Sequence, residues 1–222
     1  MKIFELLKLT TFYEIILPFA QKMELNNWYR RGRIPPTPQA VKQNLIRDLA
    51  QKYSLDTFVE TGTYLGSTTD AVKNIFNKIF TIELDKVLFK RASQKFEIFK
   101  NITVFQGDSA KVLPKVLKKI KNPAIFWLDA HYSKGITTKG AKETPIWEEL
   151  TAILGHKIKY HVLLIDDADA FTGKNDYPKI TKINKIISKH NYNSLKIYHN
   201  IIVITPKPRL YVARRRNLGI LN

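Results

Sequence analysis

From Asp56 onwards, short apolar runs alternate with longer segments whose apolar residues return every three or four positions. The runs are DTFVE, IFTIEL, ITVFQ, AIFWLD, HVLLID, LKIYH and IIVITP. Between the first five lie STTDAVKNIF, KVLFKRASQKF, SAKVLPKVLKKI and PIWEELTAIL, which have helical spacing. The runs are apolar throughout rather than alternating, as strands are when helices cover both faces of a parallel sheet. The last two are separated only by the HN at 199–200, too short for a crossover helix, so they are predicted to be antiparallel. Upstream, Phe4, Leu7, Ile15, Ile16 and Phe19 predict one or two amphipathic helices broken near Pro18. RRGRIPPTP then reads as an extended connector, and Gln39–Tyr53 as a helix.

The fold class that follows is α/β: a Rossmann-like, doubly wound, seven-stranded sheet of five parallel strands and a terminal antiparallel hairpin. Three regions are expected: a helical extension and linker at 1–37, the α/β domain at 38–206 and a basic tail at 207–222.

Composition narrows the picture. A chain of 222 residues, 44% hydrophobic and 11% aromatic, suits one well-cored domain with extensions. It contains no cysteine, which excludes disulfides and thiolate metal sites and suits a reducing, cytoplasmic compartment. Glu5, Lys8 and Glu14 interrupt the apolar start, and no small-residue cleavage site follows it. No uncharged run approaches the roughly 20 residues of a membrane span. The net charge of +18 attracts polyanions, but the lysines are scattered, and the one concentrated cluster is RLYVARRR near the C-terminus.

Ligands of open α/β sheets bind outside the carboxyl ends of the strands. Here every parallel strand ends at or just before an acid. Glu60, Gly62 and Gly66 follow the first strand, and Glu83 ends the second. Gly107, Asp108 and Ser109 follow the third, Asp129 ends the fourth, and Asp166 and Asp167 end the fifth. Helix capping accounts for one or two of these acids, but not for a whole edge. Glu83, about 20 residues past the glycine loop, suits two ribose hydroxyls. The loop itself, E-T-G-T-Y-L-G, lacks the middle glycine of a dinucleotide fingerprint and carries a carboxylate that repels phosphate. S-adenosylmethionine offers an ammonium, a sulfonium and a ribose without phosphate, which matches such an edge.

VETGTYLGSTT resembles the first motif of class I S-adenosylmethionine-dependent methyltransferases, best the catechol-type O-methyltransferases with E-x-G-x-x-x-G-x-S. TIELD, VFQGDSAKVLP and FWLDAH follow in that family's order, and the resemblance covers about residues 55–206. It implies that Glu60, Gly62 and Thr63 surround the methionine part of the cofactor, and that Thr61, Tyr64, Gly66 and Ser67 also bind the cofactor. It also implies Glu83 on the ribose, Asp108 and Ser109 beside the adenine, and Asp129 bordering the cofactor.

Transfer to a hydroxyl needs a base or a metal that lowers its pKa. Three carboxylates on neighbouring strand ends repel one another unless a cation neutralises them, and oxygen ligands suit Mg²⁺. The arrangement also resembles the metal-dependent sugar O-methyltransferases of macrolide (macrocin-type) and aminocoumarin pathways. Carried over, Asp129, Asp166 and Asp167 would hold Mg²⁺ or another divalent cation, and Asp129 would take the proton. The family's second acid falls at His131, which is therefore a second candidate base. The loops 131–145 and 167–178 are expected to cover the acceptor.

The function expected is O-methylation of a sugar hydroxyl in a glycan or small molecule. An RNA methyltransferase is the alternative that the charge favours, although no dedicated RNA-binding motif is present, and a non-catalytic cofactor-binding protein is the third. The N-terminal helices are expected to form a homodimer or cover the site, with peripheral membrane contact as the other option.

Overall fold

The computed structural model describes residues 11–130, 144–190, 192, 193 and 195–207, with backbone alone for 11–15. Strands β1 (Thr57–Thr61), β2 (Lys78–Glu83), β3 (Ile102–Gln106), β4 (Ile125–Leu128) and β5 (Val162–Ile165) pair in parallel. Beyond β5 lie β7 (Ile201–Ile204) and then β6 (Lys196–Tyr198), giving the order β3-β2-β1-β4-β5-β7-β6. The hairpin is antiparallel, as its two-residue connection requires. Its second strand inserts next to β5, so β7 alone runs against the other six. His199 and Asn200 both have positive φ, 47° and 65°, the mirror-image turn whose twist matches that of its strands.

That turn also fastens distant parts of the chain. Thr37 Oγ1 donates to the His199 carbonyl, and the His199 ring meets Trp28 edge-on at 4.9 Å. Asn200 donates through Nδ2 to Asp169 at 2.9 Å and accepts the Asp169 amide at 2.9 Å.

Helices α1 (Thr11–Arg30) and α2 (Gln39–Lys52) precede the sheet. Helices α3 (Ser67–Val72), α4 (Lys86–Phe96), α5 (Ser109–Leu117) and α6 (Ile146–Gly155) connect the parallel strands. The sheet alternates side chains between two cores. Phe58, Ile79, Ile125, Trp127, Val162 and Leu164 pack with Ile46, Leu49 and Ala50 of α2 on one face. Val59, Phe80, Phe126, Leu128, Leu163 and Ile165 pack with α5 and α6 on the other.

Two expectations need correction. Helix α1 runs through Pro18 without a break, because one missing backbone bond leaves the turns on either side intact. Among its described side chains, Phe19 is 69% exposed and Met23 50%, Leu17 and Leu25 are half-buried, and Trp28 is buried. A further helix, α7 (Ile180–Ile187), is not among the expected elements; its Ile183 and Ile187 complete the second core. Among the described residues, no helix is long and apolar enough to cross a membrane.

At the far end of the sheet, His161 is fully buried. The Ala124 amide donates to its Nδ1 at 3.0 Å, so the proton sits on Nε2 and points at His156 Nδ1, 2.9 Å away. Burial, reinforced by His156, lowers the His161 pKa to about 4. A histidine lowered from about 6.5 contributes stability that is present above the unfolded value and lost as pH falls through the folded one. Raised carboxyls elsewhere act in the opposite direction, so the informative quantity is a difference between chains. The stability advantage of the wild type over His161→Asn is expected to shrink by about 2 kcal/mol between pH 7 and pH 5. Denaturant melts at the two pH values check this; an advantage that does not change would refute the neutral pair.

Candidate active site at the carboxyl edge of the sheet

The order β2-β1-β4-β5 puts the switch in strand order between β1 and β4, where crevices open in such sheets. Just beyond β1 the chain turns at Gly62, with φ 83°. A Cβ there would lie 2.6 Å from the Asp129 carbonyl oxygen, so only glycine lets the loop approach β4 this closely. The Gly62 and Thr63 amides donate to the Ile82 carbonyl at 2.9 and 3.2 Å, and the Asp129 amide donates to the Thr61 carbonyl at 3.1 Å. The loop closes at Gly66, φ 72°, which faces the Phe96 ring and leads into α3 at Ser67.

Alternation along β1 sends Glu60 to the α2–α3 face and Thr61 to the α5–α6 face. Glu60 is buried, and its Oε2 accepts both Thr69 and Thr81 hydroxyls at 2.7 Å. Thr63 Oγ1 stands 2.5 Å from Thr81 Oγ1, which extends the chain of hydroxyls. Burial outweighs these bonds and pushes the Glu60 pKa up to about 8. At neutral pH Glu60 is thus largely protonated, and the open negative charge expected from the sequence is muted.

Glu83, at the end of β2, accepts the Tyr64 amide on Oε2 at 2.7 Å and the Asp85 amide on Oε1 at 2.8 Å. One carboxylate therefore ties the glycine loop to the start of α4. Burial raises its pKa, and the two amides offset part of the rise. Asp108 caps α5, accepting the Ala110 amide at 3.0 Å, with Ser109 buried beside it. The cofactor residues read from the sequence thus gather at one edge.

The carboxylates read as a metal set have a different partner. Period-two alternation turns Asp166 towards the α2 face, where the Lys42 ammonium donates to its Oδ2. Asp129 and Asp167 also act electrostatically on Lys42. Asp166 thus already has a cation, and the protein supplies it. Among the described residues no group of three or more His, Cys, Asp or Glu is placed to hold a metal ion. A divalent ion needs oxygens about 2.1–2.6 Å away, and the Lys42 ammonium is bonded to one of the three carboxylates proposed as ligands. This donor set does not fit Mg²⁺. His131 lies outside the described residues.

Two participants escaped the sequence reading. Lys42 shares one helix stripe with Ile46, Leu49 and Ala50, so a lysine in an apolar stripe was the available signal. Glu149 sits likewise among Ile146, Leu150 and Ile153 on α6. It is fully buried beside the Ser109 and Thr61 hydroxyls, and burial lifts its pKa to about 7. Glu149, Asp129, Asp166, Phe171 and Tyr177 line a small pocket at this edge. Part of the 167–178 loop therefore does border the acids.

No family model matches the chain. A curated relative, the ribosomal RNA small subunit methyltransferase A of Caldanaerobacter subterraneus subsp. tengcongensis, is 28% identical over 120 residues. That match covers 46% of this chain, and the chain spans only 44% of the relative's length. Among solved structures, the O-methyltransferase TomG of Streptomyces achromogenes, involved in tomaymycin synthesis and in complex with SAM, aligns with TM-score 0.57. It is 14% identical, over 77% of this chain and 81% of that one. The O-methyltransferase of Bacillus cereus in complex with SAH aligns with TM-score 0.56 at 13% identity, over 85% and 91%. The chain has the fold of the class I S-adenosylmethionine-dependent O-methyltransferases.

Proposed function

We propose that the protein is an S-adenosylmethionine-dependent O-methyltransferase acting on a hydroxyl of a glycan or small molecule in the cytoplasm. The observation that carries this reading is the approach of Gly62 to Asp129 at the strand-order switch, with Glu60 and Glu83 beside it. The cleft offers carboxyl groups to an ammonium and a ribose. An arriving ammonium is the partner that would restore the charge of Glu60. The ribose hydroxyls would use lone pairs that Glu83 has left after accepting two amides.

Methyl transfer breaks the sulfonium carbon–sulfur bond as the oxygen–carbon bond forms, so alignment is the main task of the protein. In this reading Asp129, beside the glycine loop, takes the hydroxyl proton. No step runs through Mg²⁺, since the acids do not fit it.

RNA is the second reading, favoured by the ribosomal RNA methyltransferase relative and the +18 charge. Incubation with methyl-labelled cofactor and fractionated cell material separates the two. Label is expected in glycan or small molecules; label in RNA, with affinity falling steeply with salt, would move the assignment to RNA. No label anywhere, together with no heat on titrating adenosylhomocysteine, would remove the enzyme reading. The exposed Phe19 and Met23 support the reading of α1 as a dimer or acceptor-covering element. Removing residues 1–30 and measuring mass and liposome association tests it against membrane contact.

A further inference from the structure

We propose that Lys42 is the resident cation of the acceptor edge, standing where a divalent ion would otherwise neutralise Asp129, Asp166 and Asp167. The inference rests on the methyltransferase reading for its meaning, but not for its test.

The Lys42 and Asp166 side chains are 11% and 3% exposed, so their ion pair is shielded from water. Such a pair is costly to break from one side, because the remaining charge stays buried and uncompensated. The Lys42 ammonium lies over the Trp127 ring, 5.8 Å from its centroid. Its helix is fixed by Ile46, Leu49 and Ala50 in the core. A divalent ion entering among these acids would meet the ammonium as a like charge in a poorly screened place.

The consequence concerns the acceptor. A metal ion can chelate two neighbouring hydroxyls, whereas an ammonium is a point charge with three donors and no preference for a vicinal pair. On this account the edge does not require a diol in the acceptor.

The test is a Mn²⁺ titration followed by electron paramagnetic resonance, on the wild type, Lys42→Ala and Lys42→Met. Wild type is expected to leave millimolar Mn²⁺ free. Either variant, once it opens the acid set, is expected to bind the ion at least tenfold more tightly. Stoichiometric Mn²⁺ binding by the wild type, lost in Asp166→Asn, overturns the proposal even if neither lysine variant folds. Equal and weak uptake by the wild type and a folded lysine variant also overturns it. Adenosylhomocysteine calorimetry on the wild type is run alongside: loss of that signal strikes at the methyltransferase reading, whereas the Mn²⁺ comparison bears on Lys42 alone.

Discussion

Gly62→Ala is expected to weaken adenosylhomocysteine binding by at least about a hundredfold, close to 3 kcal/mol, and to lower the melting temperature. Two effects add. A non-glycine residue held at positive φ costs about 1–2 kcal/mol. The new Cβ would lie 2.6 Å from a backbone oxygen that cannot swing aside, because the neighbouring amide of Asp129 is bonded to β1. Relief requires β1 and β4 to part at the switch point, which reshapes the crevice. Gly155→Ala is the control. A Cβ there meets nothing within 4 Å, so its effect is expected to stay within about 1 kcal/mol and leave binding unchanged. Calorimetry on the three chains decides; full affinity in Gly62→Ala would sink the assignment of this loop.

The second large effect contrasts two buried glutamates. Glu83→Gln is expected to weaken binding about 10- to 100-fold, whereas Glu60→Gln leaves the free chain within about 1 kcal/mol of the wild type. Each oxygen of Glu83 serves a different backbone amide. A glutamine offers only one oxygen, so in either orientation one amide faces an NH₂ group. The orphaned donor costs about 1–3 kcal/mol, and the one displaced is Tyr64 in the loop or Asp85 at the start of α4. Glu60 receives both donors on the same oxygen, and its pKa of about 8 means the neutral form is already the prevalent one. Glutamine reproduces both features. Calorimetry on Glu83→Gln checks the first effect and urea melts on both free variants check the contrast; an equal loss of stability in the two would contradict it.

Strand identity was legible because burial on both faces leaves uninterrupted apolar runs such as IFWL and VLLI. The hairpin was legible because two residues cannot span a crossover. The position of β7 between β5 and β6 was not, since it depends on which edge the hairpin finds. The acid edge was visible as a pattern, but its chemistry was not. A carboxylate at a strand end looks the same in sequence whether it meets an ammonium, two hydroxyls or a metal. Alternation would have helped: counting from Trp127 and Leu164 places Asp129 and Asp166 on the face that α2 covers. Lys42 and Glu149 then stand out as charges inside apolar stripes, which a reading centred on strand ends passes over. Pro18 misled because the loss of one backbone bond inside a helix does not end it when the turns on either side stay intact.

The clasp at His199 and Asn200 has a bearing on how the molecule is assembled. Thr37 reaches a carbonyl 162 positions downstream, and Trp28 leans on the same residue. On a growing polypeptide neither anchor exists until His199 has been made and has left the ribosome. The segment leading into α2 thus waits for the last hairpin, and such late, distant closures slow folding.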